Sequence, residues 1–249
     1  MRAETRIPFA NLTGRGVRVA IIDSGVNPAH PHVARMAGGV HIHANGESQN
    51  YLDYVGHGTA VAGAIREKAP DALLYAVKVF DQRLRTSVEM IIRAIEWAVE
   101  NEAQVVNLSL GTINQAHRER FERVIRRATE RDVILVAARE MNGQPSLPGS
   151  LPSTLGVRVD WECPRDAYRC LIEDSRATFF ASGYPRPIPG VSQERNLNGA
   201  SFAVANMTGF VALAKEAFPD SSPEELERAL IKSLDSEEDR EQDRNRLLQ

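Results

Sequence analysis

Four runs of apolar residues in this chain do not alternate with polar ones: VRVAIID at 17–23, LLYAVKV at 73–79, VVNLSL at 105–110 and VILVAA at 133–138. A half-exposed strand alternates, whereas a strand covered on both faces reads as a continuous apolar run, as in a parallel sheet. Between these runs apolar positions recur at helical spacing, over roughly 58–68, 86–101 and 115–131, with Ile91, Ile92, Ile95 and Val99 in one stripe. A further stretch from Ser201 to about Phe218 is apolar on nearly every side, which suits a buried helix. Ser222-Pro223-Glu224-Glu225 then opens another helix, with a capping box and a proline at its first position. Strands alternating with helices predict an α/β fold: a doubly wound, mostly parallel sheet flanked by helices, with its ligand site at the carboxyl ends of the strands. A single domain over 1–235 is expected, followed at 236–249 by a charged, solvated tail that includes EEDREQDRNRLLQ.

Composition narrows the partners. The net charge is −3 and no basic block stands out, which argues against nucleic acid. No apolar run approaches the ~18 residues needed to cross a bilayer, so no membrane partner is expected. The opening MRAETRIPFANLTGRG lacks the apolar core of a signal peptide, and two cysteines make no disulfide framework. Both features lead to the expectation of a cytoplasmic protein.

Three polar residues carry the chemistry. Asp23 ends a buried run and precedes Ser24-Gly25; taken singly it also reads as a turn-forming aspartate. His57, in Gly56-His57-Gly58-Thr59, opens a helix and by itself also reads as a packed helix-start histidine. Ser201, in Asn198-Gly199-Ala200-Ser201, stands where an N-cap serine would. Together they form the set that acyl transfer requires: a nucleophile, a base to take its proton and a carboxylate to orient the base. A helix N-terminus disfavours imidazolium, so His57 is expected to stay neutral, and Ser201 offers its own N–H to an oxyanion.

These motifs, in the order Asp, His, Ser, resemble those of the subtilisin-like serine peptidases, and LYAVKVF (74–80), AIEWA (94–98) and VVNLSLG (105–111) resemble family segments between them. The resemblance implies a subtilisin-like fold and a serine endopeptidase with Asp23, His57 and Ser201 as triad and no cofactor. It also implies a groove in which Ser109-Leu110-Gly111 pairs with an extended peptide or protein substrate, walled by Val136, Ala137 and Ala138. Val88, Met90 and Ile91 fall where relatives build a more distant apolar pocket, and read equally as one face of an amphipathic helix. The expected role is selective intracellular processing of a peptide or protein, including maturation of a dedicated precursor.

The chain departs from the family at several points. After VILVAA it reads Arg139-Glu140-Met141-Asn142-Gly143, where relatives supply an asparagine to the oxyanion hole. A gapless match puts Met141 at that position; Asn142, one residue late but followed by a glycine that can re-aim the loop, is the expected donor. Ala200 and Ala205 replace a threonine and a proline. Only AGAIREKAPDAL separates the histidine motif from the next strand, leaving no room for the calcium loop of relatives, so no metal is expected. The pairs His30/His32 and His41/His43 lack an acidic or cysteine ligand at metal spacing. Cys163 and Cys170 flank a Pro-Arg-Asp-Ala-Tyr turn that can bring them face to face across a hairpin, as a reduced pair in a cytoplasmic protein or as a disulfide otherwise. The altered oxyanion segment leaves a second reading, a pseudopeptidase that binds peptides without cleaving them.

Overall fold

The computed structural model describes residues 9, 11–80 and 85–234; the tail expected at 236–249 lies outside them. The chain begins with β1 (Arg18–Asp23), β2 (Gly38–His43) and β3 (Gly46–Ser48), followed by α1 (His57–Lys68) and β4 (Leu73–Lys78). Next come α2 (Val88–Glu100), β5 (Val105–Leu108), α3 (Arg118–Thr129) and β6 (Ile134–Ala138). A small hairpin, β7 (Glu140–Met141) and β8 (Gln144–Pro145), leads to β9 (Leu155–Val159), β10 (Tyr168–Glu173) and β11 (Arg176–Ala181). Two helices, α4 (Ala200–Ala217) and α5 (Pro223–Ser233), finish the described chain.

Nine strands form one sheet in the order β10-β11-β9-β6-β5-β1-β4-β2-β3. From β11 to β2 every neighbouring pair is parallel; β10 and β3 add antiparallel edges. The architecture is thus the doubly wound α/β sheet that the continuous apolar runs predict. Successive residues of a strand face opposite sides, so a strand covered on both faces must be apolar throughout. In β1, Ile21 packs with α1 and α4 residues such as Ile65 and Phe202, while Ile22 packs on the other face with Ile95 of α2 and Phe121 of α3. Burying a side chain such as Phe121 contributes about 1.5–3 kcal/mol relative to exposure.

Differences from the sequence-based expectations sit at the periphery. The run at 105–110 stops as a strand at Leu108, and 115–131 divides into a short 3-10 turn, Gln115–His117, followed by α3. Strands β9, β10 and β11 carried no run that the sequence pattern singled out. β10 is exposed at Ile172 and Glu173, as an edge strand is, which interrupts the apolar signature. Of the two cysteines, Cys163 precedes the turn at 165–166 and Cys170 lies in β10. In the β10–β11 hairpin Cys170 lies opposite Phe179, while the Cys163 thiol donates to the Ala167 carbonyl at 3.4 Å; both are buried thiols.

The winding direction reverses between β1 and β5. From β1 the sheet extends through β4 and β2 on one side and through β5, β6 and β9 on the other. Such a reversal opens a crevice at the carboxyl ends of the two strands. Asp23 ends β1 and Ser109 follows β5, so both stand at this crevice.

Candidate active site

Asp23 is buried, 1% exposed, at the carboxyl end of β1. Its Oδ1 lies 2.7 Å from His57 Nδ1 and accepts the Ser24 amide at 2.7 Å. A carboxylate can only accept, so Nδ1 carries the proton and Nε2 is left as the acceptor. The approach of α1 to β1 depends on glycine. A Cβ on Gly58 would meet the Gly25 carbonyl at 2.1 Å and the Asp23 Cβ at 3.1 Å, and Gly25 itself has φ +96°. Without these two glycines His57 would not reach Asp23.

A second carboxylate, which no sequence motif singled out, fixes the start of α1. Asp53 Oδ1 accepts the Val55 and Gly56 amides and the Ser24 hydroxyl, while Oδ2 accepts the amide and hydroxyl of Thr59 at 2.9 and 2.6 Å. Burial acts to raise the Asp53 carboxyl, but the Thr59 hydroxyl and the amides of Gly56, Thr59 and Val55 outweigh it and hold it below its usual value. The Ser24 hydroxyl in turn accepts the Gly58 amide at 2.9 Å, linking the turn after Asp23 to the first turn of α1. Lys78, paired with Asp23 across β1 and β4, is buried; its ammonium donates to the Leu52 carbonyl at 2.8 Å and sits 4.4 Å from the Tyr54 ring. Asp53 lies three residues before the cap position Gly56, where no local capping motif marks it, and Lys78 lies inside an apolar run, so neither was legible.

The surrounding of His57 pulls its imidazole in two directions. Burial lowers the imidazole, but the hydrogen bond and charge of Asp23, with the charge of Asp53, raise it above its ordinary value. The positive end of α1 does not dominate because two carboxylates stand against it.

Ser201 lies in the first turn of α4, beyond Gly199 at φ +136°. The next side chain, Phe202, has its ring 5.6 Å from the His57 imidazole, which brings the start of α4 against the Asp23–His57 pair. The Ser201 hydroxyl donates to the Ser109 carbonyl at 3.2 Å, and the Ser109 hydroxyl donates to the Ser201 carbonyl at 3.4 Å and accepts the Asn107 amide at 2.9 Å. Asn107 is tied to α4 by the Thr208 hydroxyl at 3.0 Å.

Ser109, Leu110 and Gly111 leave β5 and are partly exposed, outside any strand. A Cβ on Gly111 would meet the Leu147 carbonyl at 2.5 Å, and Thr112 bridges to Leu147. Of the expected pocket walls, Val136 and Ala137 have fully buried side chains, one in each core, and only Ala138 is partly exposed. Two consecutive residues of a doubly covered strand cannot both line an open cleft. Ile91 is likewise buried under α2, with Val88 and Met90 packed against the same core.

Asn142 occupies the tip of the β7–β8 hairpin with Gly143, at φ 51° and 73°. Asparagine-glycine with both residues left-handed is the preferred two-residue hairpin turn. The Asn142 side chain is exposed and makes no hydrogen bond among the described residues. Arg139 holds the hairpin base through its backbone: its amide donates to the Val157 carbonyl and its carbonyl accepts the Ser146 amide. The histidine pairs stand edge to face, at 5.0 Å for His30 and His32 and 5.2 Å for His41 and His43, and no group of three metal-binding side chains occurs among the described residues.

Comparisons with known proteins agree with this geometry. The chain is 36% identical over 160 residues to the minor extracellular protease Epr of Bacillus subtilis, over 59% of this chain and 24% of that protein. It is 32% identical to subtilisin BL of Lederbergia lenta, covering 85% of this chain and 80% of that one, and 31% identical to subtilisin E of Bacillus subtilis, covering 83% and 57%. Among solved structures, a lanthipeptide protease superposes with a TM-score of 0.70 at 20% identity over 88% of this chain and 80% of that one. A cold-adapted subtilisin-like serine proteinase does so at 0.68 and 21%, over 87% and 81%, and both likenesses concern the fold. The profile of the subtilase family matches residues 14–157 and 184–246, and with that match the chain belongs to the subtilase family.

Proposed function

We propose that this protein is a serine endopeptidase working through an acyl-enzyme, with Asp23, His57 and Ser201 as its triad. The Ser201 hydroxyl attacks the scissile carbonyl carbon while His57 Nε2 takes its proton, and the imidazolium delivers that proton to the leaving amine. Asp23 holds the proton on Nδ1 and stabilises the imidazolium. Water then attacks the acyl carbon, with His57 again the base. The observation that carries this reading is the buried 2.7 Å Asp23–His57 contact set against the helix start that bears Ser201. In this mechanism the Ser201 hydroxyl leaves the Ser109 carbonyl and turns toward Nε2.

The Ser201 amide, at a helix N-terminus, is one oxyanion donor in this proposal and Asn142 is the second. An extended peptide pairs with Ser109-Leu110-Gly111, whose backbone leaves the sheet and is partly exposed. The finer reading is selective processing of a peptide or protein in the cytoplasm by a single domain. Two buried thiols, Cys163 and Cys170, support a reducing compartment.

A specific observation favours the second reading, a peptide-binding pseudopeptidase: the Ser201 hydroxyl is engaged by Ser109, and Asn142 stands at an exposed hairpin tip. Intact-mass analysis after treatment with a fluorophosphonate separates the two. One adduct on Ser201, absent in His57→Ala, supports the peptidase; folded protein left unlabelled assigns the chain to peptide binding.

A further inference from the structure

At the end of α1 remote from His57, about 16 Å along the helix, lies a cavity of about 440 Å³. Its apolar side is formed by Phe9 and Leu12 from the segment before β1 and by Phe210 and Leu213 from α4. The Glu216 carboxylate of α4 holds that segment by accepting the amides of Thr13 and Gly14 at 2.8 and 2.6 Å. The charged side is formed by Glu67, Lys68, Arg165 and Asp166. Arg165 and Asp166 belong to residues 158–183, the stretch between the two blocks that match the subtilase family.

Lys68 is the unusual member. Its side chain is only 6% exposed, and its stem lies over Gly209, where a Cβ would meet the Lys68 Cβ at 2.8 Å and Cδ at 2.9 Å. That notch aims the ammonium into the cavity, 6.0 Å from the Phe210 ring. An ammonium has three protons to donate, and among the described residues Lys68 makes one hydrogen bond, to Glu67 Oε2 at 3.1 Å. Glu67 is already committed, since Arg165 grips both of its oxygens, at 2.5 and 2.9 Å. Among the described residues, the cavity therefore holds a buried cation with one acceptor, beside a carboxylate whose own needs are met. Unmet donors in a low-dielectric pocket are costly, and an anion is the ligand that satisfies them.

We propose that this cavity binds a small carboxylate bearing an apolar group, with its anion on the Lys68 ammonium and its body against Leu12, Phe210 and Leu213. The volume falls within the usual range for small-molecule sites. A single under-satisfied cation beside apolar walls suits a monoanion with a hydrophobic body better than a multiply charged phosphate. Burial lowers the Lys68 ammonium to about 8, which an incoming anion reverses. The site is separate from the triad, yet α1 and α4, which form it, present His57 and Ser201 at their first turns.

Calorimetric titration of the full chain with phenylacetate and 4-methylpentanoate, against phenylacetamide and inorganic phosphate, tests this. Both acids should bind saturably, and the amide and phosphate should not. Lys68→Met should weaken acid binding at least about tenfold, as loss of a charge-assisted hydrogen bond does, and Leu213→Trp should abolish it by filling the cavity. Affinity should fall as pH rises past 8, where the ammonium is lost; the other charges facing it are Glu67, Arg165 and Asp166. Equal binding of the amide, binding that survives either variant, or no response to either acid at about 10 mM would overturn the proposal.

Discussion

The two sides of the candidate active site are built differently. On the Asp23–His57 side, carboxylates, amides and hydroxyls close a network through Ser24, Asp53 and Thr59, and glycines 25 and 58 let the backbones touch. On the Ser201 side, the hydroxyl rests on a backbone carbonyl and Asn142 stands exposed at the end of a two-stranded hairpin. A general base must be held in one tautomer and one direction before substrate arrives. Groups that act only on the developing oxyanion can be completed by the bound substrate, because their bonds count only in the transition state.

The strongest way to break this contrast is to remove the base. His57→Ala should lower kcat/KM by about 10⁴-fold or more, with melting temperature little changed, because the Ser201 hydroxyl then has no partner to take its proton as it attacks. Residual activity within tenfold of the parent would remove His57 from the mechanism. On the open side, Asn142→Ala should cut kcat by about 10²-fold with KM little moved. A change under about threefold, with Arg139→Ala losing activity instead, would transfer the donor role to Arg139.

The ordered side also depends on Arg66 near the end of α1. Its guanidinium donates to the carbonyls of Val33, Arg35, Pro70 and Ala72 at 2.7–3.1 Å. Arg66→Ala leaves these acceptors short and should cost about 2–3 kcal/mol of stability in a denaturant titration. A loss below about 0.5 kcal/mol would mean water replaces the side chain without penalty.

A smaller effect should appear in pH. If His57 is the base of the proposed mechanism, it acts when neutral, and with its imidazole raised above its ordinary value kcat/KM should climb with pH through a midpoint above 6.5. Asp53→Asn removes a raising charge while keeping one acceptor oxygen, so the midpoint should move down. An upward shift would contradict the assigned cause. The same charges link to stability: a base raised on folding stabilises fully below 6.5, and that contribution is lost as pH rises through the raised value.

The smallest change is expected from chelation. α1 runs unbroken from His57 to Lys68, and Arg66 supplies the carbonyl-bound positive charge near its end. EDTA should therefore leave activity and melting temperature nearly unchanged. A metal present at 100 times its Kd stabilises by about 2.7 kcal/mol, so a drop of several degrees restored by calcium would reveal a site elsewhere.

The sequence by itself determined the parts whose pattern is local. Continuous apolar runs marked β1, β4, β5 and β6 because strands covered on both faces have no polar side, and Ser222 with Glu225 marked the start of α5 because a capping box closes within four residues. Asp23, His57 and Ser201 were legible as residues for the same reason: each stands in a short motif at a strand end or helix start. Their mutual placement was not, since the direction of the His57 shift depends on the hydrogen bond and charge of Asp23, 34 residues away, and the resting contact of Ser201 on Ser109, 92 residues away. Tertiary structure alone also decided that Val136 and Ala137 belong to opposite cores, that Asn142 tops a hairpin, and that Lys68 lies in a notch at Gly209. Such facts arise where segments distant in the chain compete for the same space and the same hydrogen bonds, and no local pattern records which of them prevails.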